Sequence, residues 1–121
     1  MPVDGPTRGI DHVYYWTRDV DRAVAFYEDV LGLSVTRRSG GEWVELAGGP
    51  IPLAIHASHE PDLPPSGTVV LRVDDLDRAK RALEQRGAVF DGHEAEVPGL
   101  ARFATLHDPD GNPVQLIEYL P

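Results

Sequence analysis

The feature of this sequence that most limits its possible folds is an internal repeat. Residues 19–23 (DVDRA) recur as residues 75–79 (DLDRA), an offset of 56 positions. In each copy the first aspartate is a good helix N-cap, and apolar residues then recur at helical spacing. A short run rich in β-branched or aromatic residues precedes each helix, and three short candidate strands follow it. The chain is therefore predicted to contain two copies of one βαβββ unit.

Turn signals divide each copy into its elements. In the first copy we expect a strand over 10–17, a helix over 20–31 that stops at Gly32, and strands over 33–38, 42–46 and 51–57. In the second copy we expect a strand over 68–73, a helix from Leu76 to near Gly87, strands over 88–93 and 100–106, and a last strand after the turn at 108–112 (DPDGN). The predicted class is α+β. A single domain of 1–121 would hold module one at about 9–57, a proline-rich linker at about 58–67, and module two at about 68–120.

Composition reduces the number of possible functions. A chain of 121 residues with 41% hydrophobic residues is long enough for one packed domain. Its net charge of −9 argues against a nucleic-acid partner and an anionic membrane surface, and its lack of cysteine excludes disulfides and thiolate metal sites. The first residues lack the pattern of a signal peptide and no apolar run is long enough for a bilayer, so we expect a cytoplasmic protein.

Several segments together resemble the vicinal oxygen chelate superfamily, which includes glyoxalase I, bleomycin-resistance and fosfomycin-resistance proteins, and extradiol dioxygenases. The segments are 10–13 (IDHV), 19–27 (DVDRAVAFY), 31–33 (LGL), 73–76 (VDDL) and 103–116 (FATLHDPDGNPVQL). The resemblance implies two tandem βαβββ modules whose curved mixed sheets enclose a small-molecule cleft. It also implies a homodimer.

The resemblance further implies a divalent metal, such as zinc, nickel, iron or manganese, held by the first and last strands of each module. The first-strand ligand position falls on His12. Its counterpart in the second module falls on Thr68, where a histidine is usual, and the last-strand position falls on Gln115, where a glutamate is usual. An amide oxygen can coordinate a metal, but it brings no charge. Gln115 is alternatively a hydrogen-bonding residue in the cleft.

The fourth ligand position depends on strand register. Aligning 51–53 with 114–116 puts Pro52 at this position, whereas a shifted strand puts His56 there. Glu118 is an alternative ligand, although its parity in a regular strand is opposite to that of Gln115. The candidate metal ligands are therefore His12, His56 and Gln115, with Glu118 as the alternative.

Aromatic and basic residues on the same strands are candidates for binding a substrate. Tyr14 and Trp16 share a strand face with His12, and Arg72 shares the parity of Thr68. Core packing is the alternative role of the aromatic residues, and a solvent-facing position is the alternative for Arg72. The full set of candidate substrate-binding residues is Tyr14, Trp16, Trp43, Arg72, Phe103 and Tyr119.

Two classes of function remain open. The first is a protein that binds a metabolite or antibiotic without a standard metal site. The second is a lyase, isomerase or dioxygenase of the same superfamily, either metal-dependent or using His12 in acid–base catalysis. The broken ligand set favours the first class and the retained His12 favours the second.

Overall fold

The computed structural model of the protein describes residues 11–62 and 67–121. The first module contains β1 (Val13–Thr17), α1 (Val20–Ala25), a π-helical turn (Phe26–Val30), β2 (Val35–Ser39), β3 (Trp43–Leu46) and β4 (Leu53–Ala57). The second contains β5 (Val69–Arg72), α2 (Leu76–Gln85), β6 (Phe90–Val97), β7 (Ala101–His107) and β8 (Pro113–Tyr119). The described ranges include no helix that is long and apolar enough to cross a membrane.

The strands form two four-stranded sheets with matching topology. The first sheet has the order β1-β4-β3-β2 and the second has the order β5-β8-β7-β6. In both sheets the first strand pairs in parallel with the last, and the other pairs are antiparallel. The predicted α+β class with βαβββ modules is confirmed.

Local sequence signals explain where the helices begin. The side chains of Asp19 and Asp75 accept hydrogen bonds from the backbone N–H groups of Arg22 and Arg78, so each aspartate caps its helix as expected. The first helix differs from the prediction, because α1 ends at Ala25 and its continuation is the wider π-helical turn.

Two other predicted boundaries also changed. The strand predicted over 88–93 is β6, which continues to Val97 because Gly92, with φ of +84°, allows an irregularity after which pairing resumes. The strand predicted over 10–17 begins at Val13. Its predicted first residue, Ile10, lies outside the described residues, and so do residues 1–8 and positions 63–66 of the predicted linker.

Side chains from both modules form one hydrophobic core. It lies on the side of each sheet that carries the helices. The buried residues of this cluster are Tyr15, Ala23, Tyr27, Leu46, Leu53, Ile55, Leu76, Ala88, Ala104, Leu106, Val114 and Leu116. Because the core is shared, the two modules stabilise each other, and the opposite face of each sheet is left for other contacts.

A tyrosine of the first module links it to the second. The Tyr15 hydroxyl donates a hydrogen bond to the Pro113 carbonyl at 2.6 Å and accepts one from the Val69 backbone N–H at 2.5 Å. It therefore satisfies one backbone group at the start of β8 and another at the start of β5.

The turn at 108–112 makes the second link between the modules. The Asp110 carboxylate accepts hydrogen bonds from the Thr17 hydroxyl and the Arg18 backbone N–H, and the Asp108 carboxylate accepts one from the Tyr27 hydroxyl at 2.8 Å. The turn between β7 and β8 thus reverses the chain direction and also bonds to the residues that flank α1.

Candidate functional site: an aromatic sheet face and the adjoining cavity

The first sheet carries a group of ring side chains on the face opposite the core. Because side chains alternate along β1, the rings before and along it point away from buried Tyr15 and Thr17. We call this group the aromatic face; its members are His12, Tyr14, Trp16, Trp43 and His56.

Strand register brings these rings together. In the pairing of β1 with β4, Trp16 lies opposite His56, and in the pairing of β3 with β4, Trp43 also lies opposite His56. The ring centroids of Trp16 and His56 are 4.5 Å apart, and those of Trp43 and His56 are 5.3 Å apart. Tyr14 lies 5.4 Å from Trp16, and His12 lies 5.2 Å from Trp43. The three sequence-predicted residues Tyr14, Trp16 and Trp43 therefore share one surface with both histidines.

A carboxylate that the sequence interpretation missed fixes one ring of this face. The indole Nε1 of Trp43 donates a hydrogen bond to Glu45 Oε2 at 2.8 Å, and Arg37 Nε lies 3.7 Å from the same oxygen. The Glu45 side chain is 20% exposed. The sequence did contain a pattern that could have identified Glu45. It lies two residues after Trp43 on one strand, so both side chains are on the same face of the sheet.

The corresponding face of the second sheet is more polar. Gln115 Nε2 donates to the Thr105 hydroxyl at 3.3 Å, and His93 Nδ1 lies 3.1 Å from the same hydroxyl. The Arg72 guanidinium lies 5.3 Å from the ring centroid of Tyr119. His93 thus belongs to the hydrogen-bond network of Gln115.

Phe103 contributes to this second face through strand register. It lies opposite Ile117 in the pairing of β7 with β8, and it is half-buried. The candidate residues Arg72, Phe103, Gln115 and Tyr119 are therefore on the second sheet, separate from the aromatic face.

The register of β4 corrects the alignment of 51–53 with 114–116. Tyr14 lies opposite Ala54, and its repeat equivalent Val70 lies opposite Gln115. The position equivalent to Gln115 is thus Ala54, which carries no metal donor, rather than Pro52. His56 lies two residues further along the same face.

Glu118, the alternative ligand, lies on the helix side of its sheet. Its Oε1 accepts a hydrogen bond from the Leu76 backbone N–H at 2.7 Å and lies 3.8 Å from Arg102 Nη1. The carboxylate therefore caps the first turn of α2 on the face opposite to Gln115.

The expected metal donors do not converge within one copy of the chain. In the described segments, no group of three or more histidine, cysteine, aspartate or glutamate side chains is arranged to hold a metal ion. His12 and His56 are on the first sheet with Trp43 between them, while Gln115 is on the second sheet and bonds to Thr105. This donor set does not fit a divalent metal within the described chain.

A cavity of about 580 Å³ adjoins the aromatic face between the edges of β1 and β5. His12 and Tyr14 line it from the first module, and their repeat equivalents Thr68 and Val70 line it from the second. Its volume is typical of small-molecule sites. His12 also has its Nδ1 within 2.8 Å of Asp11 Oδ2, which orients the ring at the cavity edge.

A family model described as the Glyoxalase/Bleomycin resistance protein/Dioxygenase superfamily matches residues 9–116. The chain belongs to this superfamily. Members of the superfamily often use divalent metals, bind small molecules and form dimers. The resemblance seen in the sequence is confirmed.

Similar proteins of this superfamily include both an enzyme and a binding protein. An uncharacterized protein from Mycolicibacterium smegmatis is 30% identical over 102 residues, which cover 79% of this chain and 81% of the relative. The structure of lactoylglutathione lyase from Agrobacterium tumefaciens is similar, with a TM-score of 0.75, 25% identity and coverage of 94% and 96% of the two chains. An antibiotic binding protein from Streptomyces sp. CB03234 has a TM-score of 0.77 and 26% identity, with coverage of 97% and 100%.

Proposed function

We propose that this superfamily member binds a planar small molecule, such as a metabolite or an antibiotic, by stacking it against the aromatic face. The observation that carries the proposal is the clustering of ring side chains across β1, β4 and β3. Tyr14 is 44% exposed although its ring lies 5.4 Å from Trp16 and 5.9 Å from Trp43. A planar ligand would cover these rings, and each favourable aromatic pair contributes about 0.5–1.5 kcal/mol beyond burial.

The fixed orientation of Trp43 supports the same proposal. Its hydrogen bond to Glu45 holds the indole ring in place before any ligand arrives, which lowers the entropy cost of binding. The similarity to an antibiotic binding protein adds a binding function to the known range of this fold.

The second candidate function is acid–base catalysis by His12 on a molecule in the adjoining cavity. It is favoured by the contact of His12 Nδ1 with Asp11 Oδ2, because a carboxylate partner orients an imidazole. The similarity to a lactoylglutathione lyase is consistent with such a lyase or isomerase activity.

Tryptophan emission is a specific probe of the proposed site. The chain has two tryptophans, and Trp16 and Trp43 both belong to the aromatic face. We would titrate the protein with 1,4-naphthoquinone, 2-naphthoate and 9-aminoacridine, which are planar probes with neutral, negative and positive charge. At least one should quench the emission with saturation, and Tyr14→Ala should weaken its binding about tenfold, since the loss of the contact between the probe and the Tyr14 ring removes roughly 1.4 kcal/mol.

Val89→Ala is the matched control, because Val89 is 79% exposed and is not part of the aromatic face. It should bind the probe with unchanged affinity. An absence of saturable quenching with all three probes, or equal affinities of the wild type and Tyr14→Ala, would contradict the proposal.

The same protein distinguishes binding from catalysis. A probe or metabolite that binds would be incubated with the protein, recovered and examined by mass spectrometry. A binding protein returns the ligand unchanged. Conversion that disappears in His12→Ala, while tryptophan quenching persists, would instead establish the second candidate function.

A further inference from the structure

A second cavity lies away from the aromatic face, between α2 and the end of the first module's helix. Its volume is about 530 Å³. We call it the α2 groove; its lining residues include Leu31, Leu33, Leu71, Ala79, Leu83 and Arg86. A second arginine, Arg72, also lines it, and the Arg72 guanidinium lies 5.3 Å from the ring centroid of Tyr119. Among the described residues, its walls include no aromatic and no acidic side chain. The α2 groove is therefore chemically unlike the aromatic face, because its walls suit a flexible aliphatic chain.

The groove follows the axis of α2. Ala79, Ala82, Leu83 and Arg86 line it at the spacing i, i+3, i+4 and i+7, which puts them on one side of the helix. With a rise of 1.5 Å per residue, this row extends for about 10 Å. Aliphatic side chains occupy most of the row, and the guanidinium group of Arg86 stands at its C-terminal end.

Arg86 has no acidic partner in the described chain. Its Nη1 makes one long contact, 3.5 Å from the Val30 carbonyl at the end of the π-helical turn. In contrast, the Arg102 guanidinium is 3.0 Å from an Asp77 carboxylate oxygen. In a protein with a net charge of −9, Arg86 provides a local positive charge beside an apolar groove. An anionic group at this end of the groove would complement it.

We propose that the α2 groove binds an aliphatic carboxylate, with its alkyl chain along Leu31, Leu71 and Leu83 and its carboxylate at Arg86. Each methylene removed from water should raise the affinity about fourfold. The carbonyl groups at the C-terminus of α2 carry a partial negative charge, which disfavours an anion there unless the guanidinium offsets it. Binding of the acid should therefore depend on Arg86 more strongly than binding of an uncharged chain.

The test compares three probes of equal chain length by calorimetry with the full chain: octanoate, 1-octanol and octylamine. Octanoate should bind most tightly, and hexanoate should bind about sixteenfold more weakly than octanoate because it lacks two methylenes. Arg86→Gln should weaken octanoate about fivefold, which corresponds to loss of an exposed charge pair, while 1-octanol changes less than twofold.

Two further variants separate an effect on binding in the groove from a general effect on the stability of the protein. Arg81→Gln removes the same charge from an exposed position of α2 that does not line the groove, and it should leave octanoate affinity unchanged. Ala82→Phe adds bulk at an exposed position that does line the groove, and it should weaken both octanoate and 1-octanol.

Three results would overturn the proposal: no octanoate binding to the wild type, equal effects of Arg86→Gln and Arg81→Gln, or no effect of Ala82→Phe. Tyr14→Ala, which disrupts the aromatic face, should not change octanoate affinity. The two sites can therefore succeed or fail separately.

Discussion

The hydroxyl of Tyr15 offers the sharpest test of how the two modules are joined. Tyr15 is 2% exposed, and its hydroxyl bonds to the Pro113 carbonyl and the Val69 backbone N–H. Tyr15→Phe removes only this oxygen, because the phenyl ring keeps its position in the core. The substitution leaves one backbone acceptor and one backbone donor of the second module without their partner.

The cost of this change follows from the two lost hydrogen bonds. A typical intramolecular hydrogen bond contributes about 0.5–1.5 kcal/mol net, and a buried polar group left unsatisfied costs about 1–3 kcal/mol. Val69 and Pro113 are half-buried, so water can satisfy part of the lost bonding. We therefore expect the free energy of unfolding to fall by about 2 kcal/mol, and the melting temperature of a domain of this size to fall by about 8 °C.

Urea unfolding followed by tryptophan emission would measure this change as a shift of the midpoint at constant slope. Tyr14→Phe is the matched control, because it removes the same oxygen from a side chain that is 44% exposed. It should change the free energy of unfolding by less than about 0.5 kcal/mol. If Tyr15→Phe and Tyr14→Phe had equal effects, the Tyr15 hydroxyl would not join the modules energetically.

Two further predictions concern pH and the first turn of α2. Burial, followed by the negative charge of Asp108, raises the pKa of Tyr27 above its ordinary value of 10.0, and burial also raises the pKa of Tyr15. The folded state therefore holds these protons more tightly than the unfolded state, so the contribution of these two hydroxyls to stability should be constant below about pH 10 and fall above it. Tyr27→Phe should reduce this alkaline loss in melting scans from pH 8 to 11, and an unchanged loss in both Tyr27→Phe and Tyr15→Phe would contradict the assignment. Glu118→Gln should lower the free energy of unfolding by about 1 kcal/mol, because it removes a negative charge from the N-terminus of α2. Calorimetric titration with zinc should give the same result for Glu118→Gln and the wild type. A loss of zinc binding in the variant would instead support Glu118 as a metal ligand.

Much of the aromatic face was predictable because it depends on local alternation. His12, Tyr14 and Trp16 are spaced two residues apart, so an extended chain there puts their side chains on one face. Trp43 and His56 were also candidates, but their proximity depends on the pairing of three strands. Glu45 was missed because its role depends on the hydrogen bond from the Trp43 indole. The sequence shows only a charged residue on a short strand, and most such residues are simply exposed to solvent.

The metal-ligand prediction depended on a register that local sequence does not specify. The alignment of 51–53 with 114–116 treated the last strands of the modules as equivalent by pattern alone, whereas pairing with β1 puts Ala54 opposite Tyr14. Strand register is decided by turn geometry and by which side chains can be buried together. The homodimer and the cytoplasmic location stay predictions.

The sequence by itself determined the two βαβββ modules, the capped starts of both helices and the alternation that separates core from exposed face, because these follow from short-range spacing and backbone preference. Only the tertiary structure decided which rings meet on the aromatic face, that Glu118 turns to the helix and Gln115 to Thr105, and that the DPDGN turn of the second module bonds to the first. It also decided that aliphatic side chains and Arg86 line one groove. These arrangements join residues far apart in the chain, and their relative positions are set by packing of the shared core rather than by any local pattern.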